Sequence, residues 1–181
     1  MINLKCHDLK HQIRQLREKD SISPSTLSEI EKEIDIYDSS VKTGNEAVDV
    51  ILTEKSLLCK KDQIKLTCMA DCSGLSYISD SDIYSLLGNA LDNAINAVMA
   101  LPVQSRNISL VIKKTNSFTS ISIINPYQGR ITINEDGLPE TSKDTDYHGY
   151  GMKSIKMIVE KYNGNLQIEA KDNMFTLSIL F

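Results

Sequence analysis

Between Asp82 and Val103 the chain contains neither lysine nor glutamate, yet the run patterns as one long helix with two unlike faces. At helical pitch Ile83, Leu87, Leu91, Ala94 and Val98 form an apolar stripe. Asn89, Asn93 and Asn96 fall on the opposite side, within an arc of roughly 60° at about 100° per residue. Asparagine is a mediocre helix former because its side chain competes for backbone hydrogen bonds, and a merely solvated face is normally filled by Lys and Glu. A carboxamide oxygen, by contrast, is a neutral hard ligand suited to Mg²⁺, which keeps several waters and takes further oxygens from substrate phosphates. The stretch therefore predicts a face built for a metal–nucleotide ligand rather than for water alone.

A second stretch, His148-Gly149-Tyr150-Gly151-Met152-Lys153, leads into an amphipathic helix. Two glycines ahead of a helix let backbone N–H groups approach a phosphate, where the helix dipole also favours negative charge. Lys153 can add a cation. Gly-x-Gly by itself is often only a turn, and its weight comes from the asparagine helix upstream.

The rest of the chain organises around these two. Ile2, Cys6, Leu9, Ile13 and Leu16 alternate spacings of four and three, a heptad seam, and Leu27, Ile30, Ile34, Tyr37 and Val41 resume it after a break at Ser23-Pro24. Two such helices make a hairpin that cannot bury both seams alone, so residues 1–43 predict a dimeric four-helix bundle. Thr43-Gly44-Asn45 reads as a hinge. A helix over Ala47, Val48, Ile51, Leu52, Leu57 and Leu58 follows, then a period-two strand over 64–70. Past the asparagine helix, which stops at Leu101-Pro102, residues 108–125 read as an antiparallel hairpin with one buried face. The end of the chain reads as a second hairpin across Asp172-Asn173. Between the two, the polar connection from Pro126 to Tyr147 is long enough to suggest a lid or binding loop.

The composition excludes several classes. A net charge of −4 offers no electrostatic footprint for nucleic acid or an anionic membrane surface. The four cysteines form no Cys-x-x-Cys pair, which favours free thiols over zinc. No apolar run approaches the roughly 18–20 residues of a membrane span, and no signal peptide is present.

With these residues in view, the asparagine helix and the Gly149–Gly151 stretch resemble the asparagine box and second glycine box of the histidine-kinase branch of the GHKL ATP-binding superfamily. The likeness is nearest to the peptide-sensing and quorum-sensing kinases paired with LytTR-type regulators. It runs from about residue 44 to 181, with a weaker match before. The resemblance implies an α+β fold, a Bergerat-type α/β sandwich in which a mixed sheet is backed by helices and preceded by the helical-hairpin dimerisation segment. It implies a catalytic domain over 44–181 that binds ATP with Mg²⁺, with the 126–147 connection as lid. Asn93 aligns with the magnesium-ligating asparagine. Asn89, one turn earlier, becomes a second ligand or phosphate contact, and Gly149 and Gly151 give close approach to the phosphates. Tyr150 and Lys153 are further contacts, whereas Asn96 stands where several kinases place a phosphate-binding lysine. The ATP-hydrolysing members carry a glutamate at the place of Asn89 as general base; an amide cannot take that proton, which points to phosphoryl transfer rather than hydrolysis. The first glycine box, Asp-x-Gly-x-Gly in most histidine kinases, reads Asn125-Pro126-Tyr127-Gln128-Gly129 here. The Asn125 oxygen can still accept from the adenine amino group.

In the hairpin, His7-Asp8 resembles the phosphoacceptor pair, with Asp8 orienting the imidazole for attack on a γ-phosphate; His11 is the competing acceptor. The implied partners are a second copy of the chain and a response regulator. The implied setting is the cytoplasmic side of a bacterial membrane sensor whose spans would precede Met1. Two other readings compete: a non-catalytic dimeric module of the same fold that binds nucleotide weakly or not at all, and a serine kinase of the anti-sigma type.

Overall fold

The structure, a computed structural model, describes residues 42–139 and 150–181. The predicted heptad seams, His7, Asp8, His11 and Gly149 lie outside the described residues. The elements run α1 (Glu46–Lys61), β1 (Lys65–Ala70), α2 (Asp80–Met99), β2 (Asn107–Thr115), β3 (Phe118–Pro126), α3 (Tyr150–Lys161), β4 (Asn165–Lys171) and β5 (Met174–Leu180). A short 3₁₀ turn, Val103–Ser105, separates α2 from β2.

The strands form one mixed sheet in the order β1-β2-β3-β5-β4. Only β1 and β2 are parallel, and α2 supplies the crossover such a pair requires. The remaining neighbours are antiparallel, with both predicted hairpins in place. Asp172 and Asn173 take φ of 52° and 59°, the left-handed pair a two-residue hairpin favours. The helix α3 ends in a left-handed cap at Asn163, at φ 55°. Gly164 is needed for proximity instead, since a Cβ there would sit 2.7 Å from the Phe181 ring and 2.9 Å from the Leu180 carbonyl.

Alternation along the strands sends Ile108, Leu110, Ile112, Ile121, Ile123, Asn125, Leu177 and Ile179 to one face, where all three helices lie. The helix α2 is central, flanked by α1 and α3 and seated on β2 and β3. Its buried face is accordingly wider than the predicted stripe and adds Leu86, Ala90 and Ile95. It begins at Ser79, whose hydroxyl accepts from the Asp82 N–H. At its other end Arg106 donates to the carbonyls of Leu101 and Met99 and, from α1's exit, Asp62, capping carbonyls that have no partner within the helices.

The buried face of α1 departs from expectation. Leu57 and Leu58 are only half-buried, and the deep row is Val48, Ile51, Leu52, Lys55 and Cys59. Lys55 is 8% exposed, tolerated there because its ammonium meets the Asp92 carboxylate of α2 at 2.8 Å. Burial raises the thiol pKa of Cys59 and Cys68 to about 11, helped by nearby Asp62 and Cys72 respectively. These thiols stay protonated and unreactive.

Candidate functional site

Three asparagines carry the polar chemistry of the helix-covered side, and each is oriented in the same sense. On α2, the Asn89 amide N–H donates to Ser85 Oγ at 3.4 Å, and the Asn93 amide donates to the thioether of Met152 at 3.0 Å. At the end of β3, Asn125 is 1% exposed and donates to the Pro126 carbonyl at 3.0 Å. In every case the NH₂ end is engaged by the protein, and among the described residues no donor meets the Oδ1 of Asn89 or Asn93. The amide oxygens of Asn89 and Asn93 thereby keep their acceptor capacity. Asn96, the third asparagine of the predicted face, is exposed and stands apart from the half-buried Asn89 and Asn93.

The helix α3 runs antiparallel to α2, so its start lies against the asparagine pair and its end against the start of α2. Gly151 is why the two backbones come close there. A Cβ on Gly151 would lie 3.3 Å from Asn89 Oδ1, filling the space that oxygen faces. The first turn of α3, with N–H groups unclaimed by the helix, thus borders the amide oxygens, an arrangement suited to anions. Tyr150 and Lys153 do not join it directly. Tyr150 is 74% exposed, Lys153 is exposed, and neither is hydrogen-bonded among the described residues. They line a cleft of about 630 Å³ along the outer α2–α3 seam together with Ser85, Ser154 and Asp82, one that reaches none of Asn89, Asn93 and Asn125.

Sequence reasoning missed what fixes this helix pair. Ser85 and Ser154 share a hydrogen bond of 3.1 Å beside Asn89. At the far end the Asp82 carboxylate accepts from Lys161 Nζ at 2.7 Å, Tyr162 OH at 2.6 Å and Ser79 Oγ at 2.8 Å. These bonds, Lys161 first, then Tyr162 and Ser79, lower the Asp82 pKa from 3.8 to about 2. A depressed carboxylate pKa stabilises the fold above its unfolded value, and that contribution is lost as pH falls through the folded one. Asp82→Asn is therefore expected to unfold at lower urea than the parent at pH 5, with the gap closing as the pH is taken from 4 to 2. A gap that does not change with pH would refute the clasp. The signal available in the sequence was Asp82 in the first turn of one helix and Lys161 in the last turn of another, but only the antiparallel packing pairs them.

The polar connection after β3 is structured where it is described. Ile133 and Pro139 bridge across a turn in which Asn134 accepts from the Leu138 and Gly137 N–H groups. Leu138 enters the core at 6% exposure, and Lys156 of α3 donates to the Asp136 carbonyl at 3.0 Å. The described part of this segment is thus tied to α3.

Comparison with known proteins agrees with this architecture. Residues 78–181 match the model of the GHKL domain family. A sensor kinase of Halalkalibacterium halodurans, named Probable C4-dicarboxylate sensor kinase, is 26% identical over 102 residues, covering 55% of this chain and 19% of its own length. The chain thus spans about a fifth of that curated relative. Among solved structures, the catalytic domain of the histidine kinase ThkA superposes with a TM-score of 0.56 at 17% identity, covering 77% of this chain and 93% of that one. The mycobacterial sensor histidine kinase MprB gives 0.54 at 14% identity, covering 75% and 93%. At these identities the likeness is one of fold.

Proposed function

Because the chain belongs to the GHKL domain family, we propose that it is the kinase region of a two-component sensor histidine kinase, with residues 44–181 as its ATP-binding catalytic domain. The observation that supports this reading is that Asn89, Asn93 and Asn125 each donate to the protein through the amide nitrogen, so the oxygen is the end each would offer a ligand. The oxygens of Asn93 and Asn89 suit a hard divalent cation, and the Asn125 oxygen suits an amino group such as that of adenine. Gly149 and Gly151 precede and open α3, whose first N–H groups would receive phosphate oxygens, with Lys153 and Tyr150 at the outer margin. Mg²⁺, when bound, would supply charge neutralisation on the triphosphate. The protein's own share is positioning: rigid amides on a packed helix hold the nucleotide, and the 126–147 segment excludes water as a lid. Asn89 cannot act as a base towards water, which favours transfer to a side chain over hydrolysis.

The acceptor in this reading is His7, its imidazole oriented by Asp8, on the hairpin of residues 1–43 that also dimerises the chain. The phosphoryl group would pass on to a response-regulator aspartate, of LytTR type by resemblance. Among the described residues no helix is long and apolar enough to cross a membrane. In this reading the region lies at the cytoplasmic face of a membrane sensor. The test is incubation with labelled ATP and Mg²⁺. An acid-labile, base-stable phosphoprotein is expected and should disappear in His7→Gln. Label that survives in His7→Gln and is lost in His11→Gln would move the acceptor one turn on.

One feature favours a second reading, a dimeric signalling module that binds nucleotide weakly or not at all. Asn125-Pro126-Tyr127-Gln128-Gly129 lacks the Asp-x-Gly-x-Gly of most histidine kinases. No heat of binding with a non-hydrolysable ATP analogue at millimolar Mg²⁺ would decide for it.

A further inference from the structure

Lys55 is the most deeply placed cation among the described residues, and nothing in the proposed reaction uses it. Its side chain is 10% exposed, and its ammonium lies 2.8 Å from Asp92 Oδ1 and 3.3 Å from Glu54 Oε1. Burial alone would lower its pKa, but the hydrogen bond and charge of Asp92, followed by those of Glu54, raise it, so the ammonium stays charged at neutral pH. Asp92 directly precedes Asn93 and sits three residues after Asn89 and four before Asn96, which places its Cβ about 5–6 Å from theirs on the helix surface. Its side chain is half-exposed and needs no partner for its own solvation.

The position of that carboxylate matters if a nucleoside triphosphate, net negative even with Mg²⁺ bound, lies beside the asparagines. Two like charges at such a separation repel appreciably wherever water is thinned by protein. Left to its rotamers, Asp92 could swing towards the ligand; paired with Lys55, it is drawn to the α1 side of α2, while Asn89 and Asn93 face α3.

We propose that Lys55 is a positioning residue for an anionic, nucleotide-class ligand: by holding the Asp92 carboxylate against α1, it keeps the asparagine face of α2 free of negative charge. This rests on the nucleotide reading of the site. It also makes α1 part of the binding apparatus, because any displacement of α1 relative to α2 would release Asp92 towards the ligand.

The experiment uses the full chain and a fluorescent, non-hydrolysable ATP analogue with Mg²⁺, titrated at low and high salt. Lys55→Met is expected to weaken binding on the order of tenfold, less at high salt, and Lys55→Met/Asp92→Asn to restore it. Packing alone would give no such rescue. Asp92→Asn leaves Lys55 its bond to Glu54 and should bind at least as tightly as the parent, an independent reading should Lys55→Met not fold. Parent-like binding by Lys55→Met, no recovery in the double variant, or weaker binding by Asp92→Asn would each overturn the proposal while leaving the nucleotide site standing. Failure of the parent chain to bind the analogue would sink the nucleotide reading, and this inference with it.

Discussion

Replacing Asn93 by alanine is expected to reduce Mg²⁺-dependent binding of an ATP analogue, and with it incorporation of label from ATP, by roughly 10²–10³-fold, the scale seen when one preorganised polar group is removed from a reacting centre. The fold should hardly notice. Asn93 is half-buried, and its one hydrogen bond in the described structure is to a thioether, a weak acceptor. Alanine is the better helix former by roughly half a kcal/mol, which offsets the lost bond. The urea midpoint should stay near that of the parent while the calorimetric signal disappears. Binding by Asn93→Ala within about threefold of the parent, well short of that scale, would remove the asparagine from the site.

The opposite face of the same helix should behave in the opposite way. Leu91 is 0% exposed in the middle of α2, between the sheet and the flanking helices. Leu91→Ala removes apolar volume from a position that cannot collapse, because α1, α3 and the sheet hold it on all sides. The expected loss is about 3 kcal/mol, a large share of the stability of a domain of this size. It should appear as a lower urea midpoint with an unchanged slope and, where folded protein remains, near-normal nucleotide affinity. A loss under about 1 kcal/mol would mean that α2 is not the keel of this core. The two variants together separate the faces: one changes ligand binding at constant stability, the other stability at near-constant binding.

Both expectations could be framed from the sequence because α2 writes its two roles in a single period. Its apolar stripe, the two hairpins and the α+β character were legible for the same reason, that alternation and helical pitch are local properties. Even there the width of the buried face was not. Leu86, Ala90 and Ile95 are buried because helices flank α2 on both sides, and neighbours are not recorded in a helix's own pattern. Lys55 shows the same limit more sharply. A lysine in an apolar row reads as solvated until the structure places Asp92 against it, and the local pattern favours Leu57 and Leu58 as core in its stead.

The site divides along the same line. The residue types, three amides and a glycine at a helix start, are sequence properties, and their hard neutral oxygens already imply a divalent cation and phosphate. Their assembly is not. Asn125 shares the covered side with α2 because β3 packs beneath that helix, and Tyr150 and Lys153 turn outward because the helical phase of α3 is set by Met152, Ile155 and Val159 in the core. What the amino-acid order determined by itself was the chemistry on offer and the elements that carry it. What the tertiary structure alone decided was which end of each amide is spent on the protein. Hydrogen-bond partners such as Ser85, Met152 and the Pro126 carbonyl are supplied by packing geometry, and no spacing in the chain encodes it.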